Sequence, residues 1–588
     1  MPRKPVVEIL FAFLGLFATL SSPLAAIAAD PTWIERSDRH ARRVIELQAA
    51  FEPEIASALG VERFDTEVVD LKPGYVQRFD AAARKVIGEL SARRASEAEP
   101  RVREDLDLLI DAVARIRRSR MLEHRLLQPY FDLPKRVFGG LQVLLDARNA
   151  EPRRRNALQR LRRYAGMEAG ERPIAALARA RMSERLGVAG LVRPYADQVH
   201  QELANCERYI GGIAELFASF GVGDWQPAQA RLAAQLREHC AWVRAVVLPR
   251  ARREAMLPRE LYADRLKNFG VDIDPEQAIA LGTFGFAEVR DDMMRLAAGI
   301  ARERNLPSAD YRDVLRWFKR DAVAPDRILA VYRKCLKDIE DIVTRERIVS
   351  LPRRAASIRL ASEAESAAIP APYMNPPRLI GNRGEVGEFV LPLGNPNAKS
   401  TAPADDFTAQ AVAWTMTAHE ARPGHELQFA AMVERGVSIA RSVFALNSTN
   451  AEGWALYAES VMLPYFPPEG QLFALQLRLL RAARAFLDPM VNLGRMTPAE
   501  AKAFLMREVT LSEPFAQQEA DRYAFDLPGQ AVSYFYGYTQ LRELRVKAEI
   551  ALGDRFDQRV FHDAILAQGL LPPRLLKRAV MEELARPR

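Results

Sequence analysis

The pattern of apolar and polar positions is helical over most of the chain. Between residues 31 and 364, apolar residues recur three and four positions apart among Arg, Glu, Ala and Asp, for example over 106–116. This spacing places the apolar side chains on one face of a helix and predicts a series of amphipathic helices. Asp274, Pro275 and Gln277 mark one helix start, because they supply a cap, a first-turn proline and a capping-box partner. We therefore predict a mainly α fold.

The pattern changes between residues 369 and 405, which are rich in Pro, Gly and Asn. Within this stretch, residues 385–392 read Glu-Val-Gly-Glu-Phe-Val-Leu-Pro and are the best strand candidate in the chain. A short sheet here could pair with an extended peptide, or it could be an ordinary surface hairpin. From residue 407 the helical pattern resumes and continues almost to the end.

The chain has 588 residues, of which 49% are hydrophobic and 27% charged, so it has ample apolar material for a folded core. Its length exceeds the usual size of one core, and we expect two or more subdomains, for example two lobes around a cleft. We assign residues 29–368 to an N-terminal helical region that forms one wall of the cleft. Residues 369–588 form the second region, which holds the candidate site, the C-terminal helices and a small β-sheet close to the site.

The N-terminal segment 1–28 has the pattern of a cleavable signal peptide. A positive start, Met-Pro-Arg-Lys, precedes the short apolar run 9–20, and Ala-Ile-Ala at 26–28 predicts a cut after Ala28. The apolar run is too short to span a bilayer comfortably, and the absence of a Cys near the cut argues against lipid attachment. We predict a periplasmic or secreted protein with no membrane insertion after cleavage. An uncleaved membrane anchor is the alternative.

The formal net charge is +8, from 84 Lys and Arg against 76 Asp and Glu, and the pI is near 9.3. Most basic residues alternate with acidic ones, but residues 153–163 form a dense basic run without an acid. The run also lacks the aromatic residues or the known motif expected of a nucleic-acid binder. We therefore predict a solvated helix face and no nucleic-acid partner.

The chain contains three cysteines, Cys206, Cys240 and Cys335, and their spacing is not that of a metal cluster. Export permits a disulfide, and Cys206 and Cys240 are the closer pair, able to bridge two consecutive helices. Two buried, unpaired thiols are the alternative.

The clearest chemistry lies in one segment, Trp-Thr-Met-Thr-Ala-His-Glu-Ala-Arg-Pro-Gly-His-Glu-Leu-Gln. A zinc hydrolase needs three protein ligands, an open position for water and a carboxylate beside that water. We assign His419 and His425 as ligands and Glu420 as the general base. The two His are six positions apart, which leaves them on different faces of a continuous helix. Pro423 and Gly424 predict a break that lets His425 turn back towards the metal.

The third ligand is expected from a second helix, whose start reads Asn-Ala-Glu-Gly-Trp-Ala-Leu-Tyr-Ala-Glu at residues 450–459. Glu452 follows His425 by 27 residues, which is enough to finish one helix and return antiparallel to it. Glu459 lies seven positions further on and shares a helical face with Glu452. We assign Glu452 as the ligand and Glu459 as the carboxylate that hydrogen-bonds a ligating His.

These segments resemble a bacterial family catalogued as domain of unknown function 885, which is similar to the gluzincin peptidases of the thimet-oligopeptidase and carboxypeptidase Taq types. The matching blocks are His-Glu-x-x-Pro-Gly-His with a nearby Gln, Glu-Gly-Trp-Ala-x-Tyr-x-Glu, Arg-Tyr with Pro-Gly-Gln-Ala-x-Ser-Tyr, and Phe-His-Asp. In this chain they stand at residues 419–425 with Gln428, 452–459, 522–523 with 528–534, and 561–563. The resemblance implies a helical two-lobed fold with one zinc ion per chain in a deep cleft.

The resemblance also implies residues around the metal. The stretch 533–538 resembles a tyrosine-rich stretch of thimet-type enzymes, in which tyrosines stabilise an oxyanion. Tyr534 matches the motif of the 885 family and Tyr538 matches the thimet pattern; we favour Tyr534, and plain packing in an amphipathic helix is the alternative for both. Arg522 could bind a substrate carboxylate or pair with Glu519. His562 could donate to substrate or cap a helix.

Two positions of the first block complete the expected site. Gln428 is assigned to the surroundings of the metal or to substrate binding. The family commonly has a second His directly after the Pro-Gly-His, where this chain has Glu426. Because His425 is the expected ligand, we expect this difference to affect the surroundings of the metal more than its retention.

The predicted function is that of an exported zinc metallopeptidase acting on short peptides. A zinc hydrolase of a non-peptide amide, a helical binding protein with an inactive metal site and a helical scaffold without metal are the alternatives. The substrate, the choice between exo- and endo-cleavage and the oligomeric state stay open.

Overall fold

The computed structural model describes residues 32–361, 365–366, 371–392 and 405–586. The predicted signal peptide lies outside the described residues. Within them the fold is mainly α, as predicted, with one small sheet. No helix in this part of the chain combines the length and the apolar composition needed to cross a membrane.

The helices follow one another with short connections. The α-helices are α1 (Trp33–Ala49), α2 (Pro53–Ala58), α3 (Tyr75–Ser96), α4 (Pro100–Leu126), α5 (Leu133–Gln142), α6 (Glu151–Tyr164), α7 (Ile174–Ser183), α8 (Ala196–Phe220), α9 (Gln226–Trp242), α10 (Arg259–Asn268), α11 (Pro275–Glu303), α12 (Tyr311–Lys319), α13 (Ile328–Arg345), α14 (Val412–Met416), α15 (His425–Arg435), α16 (Ser448–Met462), α17 (Pro468–Asn492), α18 (Pro498–Phe504), α19 (Glu513–Asp521), α20 (Val532–Leu552), α21 (Gln558–Leu566) and α22 (Pro573–Ala585). Single π-helical turns occupy Val243–Val247, Thr417–Ala421, Ala440–Phe444, Leu505–Val509 and Arg522–Asp526, and short 3₁₀ turns occupy Glu62–Phe64, Leu248–Arg250, Leu463–Tyr465 and Gly553–Arg555.

The predicted start of α11 is confirmed. The Asp274 side chain accepts from the backbone N–H groups of Glu276 and Gln277, at 2.8 and 3.0 Å. The Gln277 side chain accepts in return from the Asp274 N–H at 3.0 Å. This capping box satisfies N–H groups that the first turn of a helix cannot pair internally. From this start α11 packs lengthwise against α17, the central helix of the core.

The sheet has three strands in the order β1-β3-β2: β1 (Ser357–Leu360), β2 (Tyr373–Asn375) and β3 (Glu388–Leu391). Strand β3 lies within the predicted stretch 385–392, and it pairs parallel with β1 and antiparallel with β2. Phe389, Val390 and Leu391 are buried. Strands β2 and β3 contact the π-helical turn Thr417–Ala421, so the sheet lies beside the predicted metal motif.

The largest apolar cluster of the described residues joins α10–α13 with the helices after the sheet. A second cluster is built by α5–α9, and a third by α1, α3 and α4 with the turn Ala440–Phe444. The largest cluster therefore draws on both sides of residue 368. The division at that residue and the cleft between two lobes stay predictions.

Cys206 of α8 and Cys240 of α9 form a disulfide with a Cα–Cα distance of 6.8 Å. The predicted closer pair is thus the bonded one, and Cys335 is a buried free thiol. The pair links neighbouring helices within the second apolar cluster.

The basic run 153–163 differs in part from the predicted solvated face. It lies on α6, and Arg153 and Arg160 are buried. Arg153 pairs with Asp65 at 2.8 Å, and Arg160 donates to the carbonyl of Gly140 and to the Ser57 hydroxyl, each at 2.7 Å. The sequence pattern missed this because each partner lies on another part of the chain.

The crossing of α16 and α20 has no room for side chains at its centre. A Cβ built on Gly537 would lie 2.0 Å from the Thr449 carbonyl oxygen and 2.8 Å from the Cα of Gly453. A Cβ on Gly453 would lie 2.7 Å from the Cα of Gly537. Two facing glycines therefore allow the helices to approach closely. This contact places Glu452 of α16 beside the start of α20.

We predict that Gly537→Ala destabilises the protein by about 1–3 kcal/mol or more, because its methyl group must push α16 and α20 apart. Gly299→Ala is the matched control, since it also lies in a helix and its added Cβ meets nothing within 4 Å. Chemical denaturation of the two variants checks this. Equal stability of both variants and the wild type would contradict the close crossing.

Candidate metal centre

The helix that carries the first His breaks inside the motif, as predicted. Helix α14 continues into the π-helical turn Thr417–Ala421, Arg422 is extended at φ −122° and ψ 136°, and α15 begins at His425. A Cβ on Gly424 would lie 1.9 Å from the carbonyl oxygen of His419, so only glycine fits this return of the chain. The break brings the ring centres of His419 and His425 within 4.9 Å of each other, and the two ring planes are nearly perpendicular.

The break is held by neighbours on two sides. The Trp454 indole N–H of α16 donates to the carbonyls of Pro423 and Gly424, at 3.0 and 3.3 Å. Arg422 pairs with the buried Glu426 at 2.8 Å. Glu426 therefore contacts a cation of the turn, and the expected effect of its difference from the family pattern stays a prediction.

Three side chains have the spacing of ligands around one small ion. Oε2 of Glu452 lies 3.5 Å from Nε2 of His419 and 3.3 Å from Nε2 of His425. Ligand atoms that are each 2.0–2.1 Å from a tetrahedral zinc lie about 3.3 Å apart. This oxygen of Glu452 is buried and has no hydrogen-bond partner among the described residues. The donor set of two imidazoles and one carboxylate therefore fits zinc.

Glu420 lies beside this set. Ligand atoms of His419, Glu420 and His425 lie within 4.8 Å of one another, so Glu420 is the competing third ligand. Oε1 of Glu420 is 3.9 Å from Nε2 of His419, which is longer than the distance between two ligand atoms of a tetrahedral zinc. The distances from Oε2 of Glu452 to the two His Nε2 atoms both match that ligand-to-ligand distance. Glu452 therefore fits the spacing of a third ligand better than Glu420, which lies beside the set.

The pKa values of Glu420 and Glu452 are shifted in opposite directions. Burial raises the pKa of Glu420 above its ordinary value. Burial also opposes ionisation of Glu452, but its contacts with His419 and His425 hold its pKa well below the ordinary value. Glu420 therefore holds a proton more readily than a free glutamate does, and Glu452 is held ionised. Their side chains keep 11% and 19% exposure, so water can reach both.

The outer partner of His419 is the predicted one. Oε1 of Glu459 lies 2.6 Å from Nδ1 of His419, and its other oxygen accepts from the Thr415 hydroxyl at 2.6 Å. Arg481 of α17 approaches the same carboxylate at 3.7 Å. This bond fixes the ring so that Nε2 faces the ligand set. Burial lowers the pKa of His419, but Glu420, Glu452 and Glu459 outweigh it and raise the pKa to about 9.

Gln428 is buried on α15, one turn after His425. Its amide N–H donates to the Asn450 side chain at 2.9 Å, and Asn450 donates to the Leu571 carbonyl at 2.7 Å. Gln428 therefore ties α15 to the start of α16, two residues before Glu452.

Tyr534 and Arg522 lie together on the other side of Glu452. Arg522 Nη2 donates to the Tyr534 hydroxyl oxygen at 3.1 Å, and Nη1 pairs with Glu519 at 3.1 Å. The ion pair weighed as the alternative for Arg522 is therefore present. Burial raises the pKa of Tyr534, Arg522 and Arg484 lower it, and Glu452 is close enough to raise it.

Tyr538 and His562 lie in other surroundings. The Tyr538 hydroxyl accepts from Arg542 at 3.3 Å. His562 is buried with both ring nitrogens bonded, Nδ1 to the Ile348 carbonyl at 2.8 Å and Nε2 to the Tyr457 hydroxyl at 2.9 Å. Burial lowers the pKa of His562 to about 4. His562 is thus a neutral core residue, and neither of its predicted roles, substrate donor or helix cap, fits these bonds.

Several residues of the site were missed by sequence reasoning. Arg481 and Arg484 lie three positions apart on α17, and they contact Glu459 and Glu519 respectively. With Arg478 they form a row of three buried arginines at helical spacing on a largely apolar helix, which was the available signal. Tyr332 has a buried hydroxyl without a partner among the described residues, and Glu420 is close enough to raise its pKa further after burial.

Comparison with known proteins gives a family but not an activity. A family model described as "Bacterial protein of unknown function (DUF885)" matches residues 53–580. The chain belongs to the DUF885 family. The family resemblance drawn from the motifs is therefore confirmed. No curated protein matches this DUF885 chain.

Two solved structures resemble this DUF885 protein over their whole length. One is described as a "putative lipoprotein of unknown function" from Shewanella oneidensis, with 18% identity and a TM-score of 0.74. The other is described as a "putative lipoprotein" from Colwellia psychrerythraea, with 16% identity and a TM-score of 0.77. Each match covers 94% of this chain and 100% of the other. At this identity the likeness shows a shared fold.

We predict that Glu459→Gln weakens zinc binding by about 10- to 100-fold while the protein stays folded, because the bond that orients His419 is lost or weakened. His562→Gln is the contrasting variant: it breaks two buried hydrogen bonds and lowers stability without changing zinc affinity. Competition titration with a chelator measures both affinities. An unchanged affinity in Glu459→Gln would remove this residue from the site.

We predict that Glu519→Gln lowers the free energy of unfolding at pH 7 by about 3–5 kcal/mol, because Arg484 and Arg522 lose their buried counter-ion. Burial opposes ionisation of Glu519, but the two arginines hold its pKa at about 2, below the ordinary 4.5. A depressed carboxyl pKa stabilises the fold above pH 4.5, and that contribution is lost as the pH falls from 4.5 towards 2.

The difference between Glu519→Gln and wild type should therefore shrink below pH 4.5 in urea denaturation. Glu207→Gln is the matched control, since it removes an exposed partner of Arg237 and should cost less than about 1 kcal/mol. A pH-independent difference for Glu519→Gln would contradict the assigned ionisation.

Proposed function

We propose that this DUF885 protein is an exported zinc-dependent peptidase that cleaves short peptides. The observation that supports this most strongly is the geometry of Glu452, whose unpartnered oxygen lies at tetrahedral ligand spacing from both His Nε2 atoms. A buried carboxylate on Glu420 stands next to that set. A site used only for structure usually fills its fourth position and needs no base. These features and the motif resemblance to gluzincin peptidases support a hydrolase.

The residues take the following roles in the proposed reaction. His419, His425 and Glu452 would hold one zinc ion, which when bound polarises a carbonyl and lowers the pKa of water. Glu420 accepts the proton of the attacking water and transfers it to the leaving amine, a task that suits a carboxyl whose pKa burial has raised. Tyr534 donates to the carbonyl oxygen as negative charge develops on it.

The proposed substrate class follows from the surroundings of the site. The ligand side chains are almost enclosed, so an extended, short chain fits better than the surface of a folded protein. The strands of the small sheet next to Thr417–Ala421 offer backbone groups to such a chain. The signal pattern of segment 1–28 and the lipoprotein descriptions of the two similar structures support a location outside the cytoplasm.

We predict that Glu420→Gln keeps about one zinc per chain and lowers kcat for short peptides by about 10²- to 10⁴-fold, because the general base is lost. In contrast, His425→Ala should lose the metal and the activity together. Zinc content by mass spectrometry and a peptide panel that includes small non-peptide amides check both statements. Full activity of Glu420→Gln would contradict the proposed mechanism, and cleavage of amides alone would change the substrate class.

A further inference from the structure

Tyr534 lies between two cations that are fixed by one carboxylate. The guanidinium carbons of Arg484 and Arg522 lie 4.6 and 5.5 Å from the centre of its ring. Glu519 accepts from Arg484 at 2.7 and 2.6 Å and from Arg522 at 3.1 Å. The Tyr523 hydroxyl donates to the same carboxylate at 2.8 Å. Together Glu519, Arg484 and Arg522 form what we call the arginine cluster.

The arginine cluster lies beside the ligand set. Ser533, the neighbour of Tyr534, contacts Ser448 through their hydroxyls at 2.6 Å, one helical turn before Glu452 on α16. The glycine crossing of α16 and α20 keeps this spacing. The charge of Glu452 also raises the pKa of Arg522, after burial has lowered it. The arginine cluster therefore lies within range of the charge of Glu452.

The hydrogen bond from Arg522 determines the donor and acceptor roles of the Tyr534 hydroxyl. Arginine has only donors, so the phenol oxygen accepts this bond and its own proton remains free to donate elsewhere. A cation that donates to a phenol oxygen stabilises negative charge on it, which makes the O–H group a stronger donor. Both terminal nitrogens of Arg522 already donate, to Glu519 and to Tyr534.

We propose that the arginine cluster orients the Tyr534 hydroxyl towards the carbonyl oxygen that gains negative charge during peptide cleavage. Arg522 is then a positioning residue that acts through Tyr534, and it does not bind a substrate carboxylate. This inference rests on the proposed function, and it assigns a purpose to a buried ion-pair cluster that metal binding alone does not require.

The first test measures the phenol without using activity. A fluorinated tyrosine, whose phenol ionises at lower pH, is placed at position 534 and titrated by ¹⁹F NMR in the metal-free protein. Arg522→Gln should raise the titration midpoint by about one pH unit or more, because a cation beside the oxygen is removed. Arg542→Gln is the matched control: it removes an Arg-to-Tyr bond one turn along α20, at Tyr538, and should leave the midpoint of residue 534 unchanged.

The second test is kinetic and uses one peptide with a free C-terminal carboxylate and the same peptide with a C-terminal amide. Arg522→Gln should lower kcat by about 10- to 100-fold for both peptides with little change in KM, because an oxyanion donor is misaligned. In a Tyr534→Phe background the same change should lower kcat less than about 3-fold, since residues that act as one unit are not additive. Arg522→Lys, which keeps the charge, should restore part of the loss.

The outcomes separate this inference from the proposed function. A loss confined to KM of the free-acid peptide would overturn the positioning role and make Arg522 a carboxylate ligand. An unchanged ¹⁹F midpoint in Arg522→Gln would also overturn it. If the wild type cleaves no peptide, the proposed function fails, but the titration still decides whether the arginine cluster governs Tyr534. Arg484→Gln, which removes the other cation beside the Tyr534 ring and should raise the same midpoint, serves where Arg522→Gln does not fold.

Discussion

Helix α16 is fixed by two contacts that leave no free space, and the geometry of the site depends on both. On one side its Trp454 indole holds the Pro423 and Gly424 carbonyls, and on the other Gly453 lies against Gly537 of α20. Glu452 stands between these two contacts. Because the contacts are direct, the carboxylate cannot shift without breaking the turn between the two His or separating α16 from α20. Close packing thus brings two His that are six residues apart in the sequence, together with Glu452, to the interatomic distances that zinc ligands have.

Buried charges surround this ligand set in two groups. Glu459 with Arg481 supports His419, and Glu519 with Arg484 and Arg522 surrounds Tyr534. Arg481 and Arg484 both project from the central helix of the core, where an unpaired charge would be costly. Pairing them with carboxylates that also touch residues of the candidate site connects the stability of the core to the arrangement of that site.

The mainly α fold, strand β3, the start of α11, the helix break at Pro423 and the start of α16 could all be predicted from local sequence. Each depends on periodicity, on a capping residue or on a Pro-Gly pair, which act within a few positions. The contacts of Arg153, Arg484 and His562 could not be predicted in this way, because their partners lie 88, 35 and 105 or more residues away. The contact of Glu452 with the two His could be predicted, although they are distant in sequence, because Glu452 lies in a recognisable motif. The contact between Gly453 and Gly537 could not, because nothing in the sequence around either glycine indicates the other.

The most direct test of the proposed metal centre is a crystal structure of the zinc-reconstituted protein, with anomalous data collected on both sides of the zinc absorption edge. We expect one zinc peak within about 2.0–2.2 Å of Nε2 of His419, Nε2 of His425 and a Glu452 oxygen, with Glu420 outside the coordination shell. An anomalous peak coordinated by Glu420 in place of Glu452 would contradict the division between ligand and base. The absence of any zinc peak between the two His would contradict the metal centre itself.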